Sequence, residues 1–425
     1  MDTDVNHKTR ALWLSGVLHA FTHLYQVALL PLYLLIQEDF KLASVSQATL
    51  LMTVMMAGYF VPSFPMGVLA DKLNRKKLLC FGLALNGLGF IGLALAPNYL
   101  CALAAVVVAG LGGSCYHPAA TAMVARLFPV GTGRALGLTG IGASVGFFAG
   151  PTYAGWRAGF LQPALGAVAW RRLVLELGAL GILAAAAFAW VAGNQEPLAA
   201  NEQKSIPGEK MFPTRALWFL FLVGAFAFSL RDFAGTSMGS LGSLFLQNVH
   251  GYDPKWTGLA LSGMFLSSAI SNPIFGGLSD RRRNGWTTFV LLVAAAMVVV
   301  LPRVPSRWTI PVFVVYGFFF MSSYPMTEAT VMESVPDAVR GRVFGLFITV
   351  GGLIGNLSHW TVGAEVKSLG AAAYSANSYY PAYGLLALMM VLSLAGLPCL
   401  HAIRKREQQI QAEPSADDPP ELLSR

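Results

Sequence analysis

Apolar residues along this chain run in blocks of roughly 20, separated by short polar stretches, and do not follow the one-faced or alternating patterns of soluble helices and strands. A block of that length is what crosses a bilayer core as a helix. Twelve blocks can be placed, at about residues 12–37, 46–69, 78–96, 101–127, 135–156, 173–192, 215–246, 256–279, 287–302, 309–335, 343–366 and 379–402. The pattern predicts short connections everywhere except 157–172 and 193–214. The second of these carries Asn194, Gln195, Glu196, Pro197, Lys204, Pro207 and Lys210, the composition of a polar linker. The predicted organisation is a six-helix bundle at 1–193, a cytoplasmic linker at 194–213, a second six-helix bundle at 214–403, and a tail at 404–425. That tail, with Asp417-Asp418-Pro419-Pro420, reads as disordered and cytoplasmic.

Composition agrees with spanning helices. Of the 425 residues, 55% are hydrophobic and only 12% charged, where soluble domains carry roughly 25%. The 44 glycines lie mostly within apolar blocks, as is common in membrane helices. A net charge of +8 does not indicate nucleic-acid binding, because the basic residues form short runs between apolar blocks and not one basic face. Cys80, Cys101, Cys115 and Cys399 fall in or beside apolar blocks without metal-ligand spacing, and read as small buried hydrophobes. The first block lacks a small-residue cleavage site, so it is expected to remain as an uncleaved span.

Lysine and arginine fix the expected orientation, since basic loops are retained in the cytoplasm. With Arg231 set aside inside a span, one side collects 20 of the 29 and the other 8. The richer side holds both termini and the central linker, which are therefore expected to face the cytoplasm of a cell whose plasma or inner membrane carries the chain.

The two halves echo each other at an offset of 205 to 209 residues, the parallel repeat of a two-bundle transporter. Gly67-Val-Leu-Ala-Asp71-Lys72 matches Gly276-Gly-Leu-Ser-Asp280-Arg281. Tyr116-His117-Pro118, eleven residues before Pro129, matches Ser323-Tyr324-Pro325, eleven before Pro336. Ala11-Leu12-Trp13 likewise matches Ala216-Leu217-Trp218.

These residues resemble the major facilitator superfamily over nearly the whole chain. Gly67-x3-Asp71-Lys72-x2-Arg75-Lys76 is similar to that superfamily's cytoplasmic loop signature, with Asn74 where glycine is usual. The expected role of Asp71 is a latch on the inward side, pairing with a neighbouring helix end. Gly276, Asp280 and Arg281 form its second copy. Gly142, Gly146, Gly150, Pro151 and Gly155 make a small-residue stripe that lets helices approach closely. The part Gly146-x3-Gly150-Pro151-x3-Gly155 is similar to the motif of the antiporter branch, with Ala154 in place of one closing glycine. Gly113-Ser114-x2-His117-Pro118, together with His19, resembles the fosmidomycin-resistance-like drug exporters, with His23 where an acidic residue often stands. The resemblance implies an all-α membrane protein of twelve transmembrane helices, two six-helix bundles related by a pseudo-two-fold axis, with spans 1, 4, 7 and 10 lining a central cavity.

Ionisable residues inside a membrane are costly and usually functional. The deep ones are His19 and His23 in span 1, His117 in span 4, Arg231 and Asp232 in span 7, and Glu328 with Glu333 in span 10. Glu176, His359 and Glu365 read as lying in the outer parts of their helices, where water can solvate them. His19 and His23 share one helix face at spacing four. They suit a metal, a structural hydrogen bond, or a proton or substrate site, but no acidic or cysteine partner accompanies them at helical spacing. His117 adjoins Pro118 and either contacts ligand or satisfies the carbonyl that the proline frees. Arg231 and Asp232 project about 100° apart, so the spacing predicts that each seeks a partner elsewhere. Arg231 is the candidate anchor for an anionic substrate, and Asp232 and Glu328 are the candidate proton carriers. A structural network joining spans 7 and 10 is the alternative.

The reading is a monomeric secondary transporter that exports a small organic compound by proton antiport, with no cofactor beyond the proton gradient and no resident metal. Proton-linked import of an organic anion, and transport of an amphipathic lipid or a metal, are the alternatives. No catalytic constellation and no nucleotide-binding glycine loop point to an enzyme.

Overall fold

The computed structural model describes residues 2–128, 132–192 and 211–412; most of the expected linker, and residues 413–425 of the tail, lie outside the described residues. Among the described residues, sixteen α-helices make twelve crossings. α1 (Asp2–Val27) and α2 (Tyr33–Asp39) form the first, bent where Pro31 lacks an N–H. α3 (Val45–Phe60) and α4 (Ser63–Lys72) form the second, with Pro62 at the break, and α5 (Arg75–Leu95) the third. The fourth is α6 (Tyr99–Ser114) and α7 (Tyr116–Leu127). They part at Cys115, within one turn of Pro118, whose ring clashes with the helical carbonyl four residues back. α8 (Thr132–Leu165) and α9 (Ala169–Val191) are the fifth and sixth.

The second half begins with α10 (Arg215–His250), capped by Gly251 at φ +64. α11 (Pro254–Leu266) and the first part of α12 (Ser268–Val300) form the eighth crossing. A non-helical Arg282 divides α12, and its remainder is the ninth. α13 (Ser306–Glu333) and α14 (Asp337–Leu369) follow, and α15 (Tyr380–Ser393) with α16 (Gly396–Ala412) closes the set. Eleven described segments are long and apolar enough to span a membrane; Ala135–Val191, at 57 residues, turns at Gly166–Val168 and supplies two crossings.

Three expectations are corrected. Residues 157–172 are not a long connection: α8 continues to Leu165, and the turn needs only Gly166 at φ +61. Arg157, expected in that connection, donates to Glu176 through Nε at 2.9 Å and a terminal nitrogen at 2.7 Å, and Tyr153 joins them at 2.7 Å. The polar residues that suggested a loop are therefore an interhelical pair. Secondly, residues 404–412 continue α16, because Arg, Lys, Glu and Gln are strong helix formers and Ile403 and Glu407 are buried. Lastly, Cys101 is exposed while Cys115 is buried.

The small-residue stripe of α8 has two jobs. Side-chain atoms added at Gly142, Gly146 and Gly150 would meet the carbonyl oxygens of Gly16, Ala20 and Leu24, so this part seats α8 directly on α1 within one bundle. An atom added at Gly155 would instead meet the Pro254 carbonyl and, at 3.0 Å, the Cα of Gly258, both in the other bundle. Hydrogen bonds between bundles, among the described residues, lie toward the same end, which is the face opposite the termini. Thr53 donates to the Asn356 carbonyl at 3.0 Å, Ser262 to the Phe148 carbonyl at 2.8 Å, and Ser243 to the Leu30 carbonyl at 2.5 Å. The bundles thus meet at the distal face.

Because one stripe makes both contacts, its glycines should separate by substitution. Gly146→Val should lower the thermal stability of the detergent-solubilised protein by the cost of overpacking, about 1–3 kcal/mol. Gly155→Val should leave the melting transition nearly unchanged and lengthen spin-label distances across the distal face. Equal destabilisation by both would contradict the division.

Candidate functional site

Two polar clusters lie at mid-depth, one in each bundle. In the first, α1 presents His19 and His23 one turn apart, and the break before Pro118 turns His117 toward them. Ring centroids lie 4.7 Å apart for His19 and His23, 5.1 Å for His19 and His117, and 5.6 Å for His23 and His117. His19 Nδ1 lies 2.9 Å from the Thr139 carbonyl of α8, and His23 Nδ1 lies 2.7 Å from Gln26 Oε1. The two Nε2 atoms face each other at 3.0 Å. Tyr116 stacks on His19 with centroids 4.8 Å apart, and its hydroxyl donates to the Ser15 carbonyl at 2.8 Å. His117 itself is exposed, although it lies in the first turn of α7 in the middle of a span. From the sequence His19 and His23 lacked a third ligand, and the fold supplies one: the nearest ligand atoms of the three histidines lie within 4.8 Å of one another.

The second cluster overturns part of the sequence reading. Arg231 and Asp232 do pair: Nε and a terminal nitrogen of Arg231 donate to Asp232 Oδ1 at 3.0 and 2.8 Å. A hundred degrees of helix separates their Cα–Cβ directions, but the arginine stem is long enough to fold back across it. The other terminal nitrogen donates to Thr327 Oγ1 at 2.5 Å, and the guanidinium lies 4.2 Å over the Tyr324 ring. Arg231 is 1% exposed. All three guanidinium nitrogens are engaged and the side chain is buried, so in this conformation Arg231 ties α10 to α13 and is withdrawn from a substrate anion. Room for Asp232 comes from Gly351 and Gly355 of α14, where added side-chain atoms would strike its carboxylate or its Cβ. Glu328, half-buried on α13, lies within electrostatic reach of both Arg231 and Asp232.

Glu333 is not part of this cluster. It is exposed at the proximal end of α13, 2.5 Å from Arg283 and 3.6 Å from Arg404, because five further residues carry it about 7.5 Å along the helix from Glu328. His359 departs in the opposite sense: it is buried and not solvated. Its Nδ1 lies 2.6 Å from Ser240, which lies 3.0 Å from the Tyr33 hydroxyl, and its Nε2 lies 3.2 Å from Asn356 Oδ1. Tyr33, Ser240, His359 and Asn356 form a polar chain from α2 through α10 to α14, crossing between bundles near the distal face. Sequence reasoning missed it, and the available signal was polar residues recurring in the outer turns of spans 1, 7 and 11. Gln26 was legible as a partner at spacing three from His23; Thr139 and Thr327 were not.

At the proximal loops, Asn74 stands where the loop signature has glycine and caps α5, its side chain accepting from the Lys77 amide at 3.1 Å. Arg75 donates to the Ala70 carbonyl at the end of α4, at 3.2 Å. Lys76 is half-buried, and an atom added at Gly67 would meet Pro118 Cβ at 3.8 Å, an ordinary contact. The side chains of Asp71, Lys72, Asp280 and Arg281 lie outside the described residues, and Gly276 has open space beside it.

Residues 12–358 match the model of the Major Facilitator Superfamily. An uncharacterised transporter of that type, YfnC of Bacillus subtilis (strain 168), is 23% identical over 88% of this chain and 91% of its own length. The fosmidomycin resistance protein of Escherichia coli (strain K12) is 24% identical over 88% and 90%, and the multi-drug resistance efflux pump PmrA of Streptococcus pneumoniae (strain ATCC BAA-334 / TIGR4) is 26% identical over 70% and 75%. The fold is similar to the crystal structure of a bacterial homolog of the human lysosomal transporter Spinster, inward-facing and unoccupied, at a TM-score of 0.71 and 17% identity over 96% of this chain and 99% of that one. With the family model spanning most of the chain and two six-helix bundles in its structure, this protein belongs to the major facilitator superfamily.

Proposed function

We propose that this multi-pass membrane transporter exports a small organic compound from the cell by proton antiport, with both termini in the cytoplasm. The observation that carries the reading is the arrangement of two carboxylates, Asp232 and Glu328, around one buried guanidinium. Arg231 can balance only one of them. The cluster therefore carries one negative charge in excess, in a setting where uncompensated charge is expensive, and one proton neutralises it. Proton binding and release at Glu328 then changes the charge at the centre of the second bundle without disturbing the Arg231–Asp232 pair.

Contacts at the distal face and their absence from the proximal face, among the described interbundle hydrogen bonds, suit a state open toward the side that carries the basic loops. In the cytoplasm-in orientation that state faces inward and loads an exported compound. Export rather than import draws support from the relatives: the Escherichia coli and Streptococcus pneumoniae proteins both carry drug-resistance names. The importer alternative would draw on Arg231 as an anion anchor, and that side chain is buried against Asp232 and Thr327 within the protein.

The test is a resistance screen in an efflux-deficient host, with fosmidomycin first in the panel, followed by transport in proteoliposomes for any compound that scores. Glu328→Gln should abolish accumulation driven by a pH gradient while preserving exchange of substrate down its own gradient. Retained gradient-driven transport would remove Glu328 from the proton path.

Arg231→Lys should lower thermal stability, because an ammonium cannot reproduce the two contacts to Asp232 together with the bond to Thr327. Loss of about 3 kcal/mol is expected, comparable to breaking a buried pair, with substrate affinity nearly unchanged. Weakened binding at unchanged stability would restore the anchor role.

The distal chain should act as a gate. Tyr33→Phe removes the one hydrogen bond of the chain that joins the bundles, to Ser240 and worth about 1 kcal/mol, and should shift the population toward the outward-open state about fivefold. Spin-label distances between the distal ends of α3 and α14 report the change, and an unaltered distribution would reduce the chain to internal packing.

A further inference from the structure

We infer that His19, His23 and His117 form a binding site for a borderline divalent transition metal, of which zinc or cobalt is representative. This stands apart from the antiport reading, which rests on the other bundle.

The argument begins with hydrogen. A neutral imidazole carries hydrogen on only one of its two nitrogens. His19 Nδ1 meets a carbonyl oxygen, which can only accept, so its hydrogen is there and Nε2 is bare. His23 Nδ1 meets the carboxamide oxygen Gln26 Oε1, which also only accepts, so His23 Nε2 is bare as well. Two bare nitrogens then point at each other at 3.0 Å, an arrangement that is repulsive unless a positive charge lies beside them.

The same contacts are those of metal-binding histidines. A ligating imidazole typically donates its second N–H to a carbonyl or carboxylate, which fixes the ring and leaves the other nitrogen for the metal. Nitrogen ligands at 2.0–2.1 Å from a tetrahedral zinc stand about 3.3 Å apart, close to the spacing that His19 and His23 already have. His117 brings the third ligand from a different helix, within 4.8 Å of the others, and a rotation of its side chain closes the remaining gap. Rigid mounting adds to the case. Tyr116 stacks on His19, Phe147 lies 4.2 Å from His23 between ring centroids, and α8 is seated on α1 through its glycines. Three neutral ligands leave the fourth tetrahedral position open on the side where His117 is exposed.

Nitrogen ligands without carboxylates select borderline metals over magnesium and calcium. A proton shared between His19 and His23 would also relieve the repulsion, and the experiment distinguishes the two. Full-length protein without a histidine tag, in lipid nanodiscs, is titrated with cobalt chloride and then with zinc chloride. The expected result is one cobalt per chain with the strong visible absorption of a tetrahedral site, displaced by zinc and unaffected by magnesium. His23→Gln and His117→Gln should each weaken cobalt binding about tenfold or more, while His401→Gln, at an exposed position on α16, should not. If a histidine variant fails to fold, Gln26→Glu gives the opposite sign: a carboxylate behind His23 should tighten cobalt binding, as such partners do. Absence of cobalt from the wild-type protein, binding that survives both histidine substitutions, or an unchanged affinity in Gln26→Glu overturns the site; the first of these is the outcome of a shared proton.

Discussion

Inside a hydrocarbon layer no water is available to receive the guanidinium of Arg231, the carboxylate of Asp232 or the imidazoles of α1, and each must find its partners within the protein. That constraint organises the rest. Arg231 is bound on all three nitrogens and stacked on Tyr324, which draws α10 and α13 together. Asp232 in turn requires the bare surface of Gly351 and Gly355, which brings α14 against α10. A charged pair thereby determines the arrangement of three helices, and Glu328 lies within electrostatic reach of it.

The two bundles use repeat-equivalent places for different chemistry. At an offset of 207 residues, His117 corresponds to Tyr324, and His19 and His23 fall in the stretch of α1 that corresponds to the Arg231 region of α10. Both clusters are built from the first and fourth crossings of a bundle. One holds three imidazoles, with the Nε2 atoms of His19 and His23 facing each other; the other holds a buried cation paired with a carboxylate.

Movement between states depends on how weakly the bundles are joined. Within a bundle, α8 lies on α1 with backbone against backbone, as small residues allow. Between bundles the seam includes Gly155 against Gly258, Gly363 against Ser46, the Phe147–Phe265 stack, a few hydroxyl-to-carbonyl hydrogen bonds, and the Tyr33–Ser240 link of the polar chain. Each of the hydrogen bonds is worth about 1 kcal/mol.

The sequence by itself determined the crossings, the break at Pro118, the repeat and the depth of the histidines of α1 and of the Arg231–Asp232 pair, because these depend on block length, on proline chemistry and on the rise of a helix. It also showed that His19 and His23 share a face. What it did not determine was which helix each face meets. Spacing alone separated Arg231 from Asp232, yet a flexible stem brings them together once Thr327 and Tyr324 enclose it. His117 became a third imidazole only when α7 was set beside α1. His359 moved from solvent into a buried chain, Glu333 moved out to the proximal surface, and 157–172 became helix. Each of those outcomes depends on the rotation and neighbours of whole helices, which packing between distant segments decides and local periodicity does not encode.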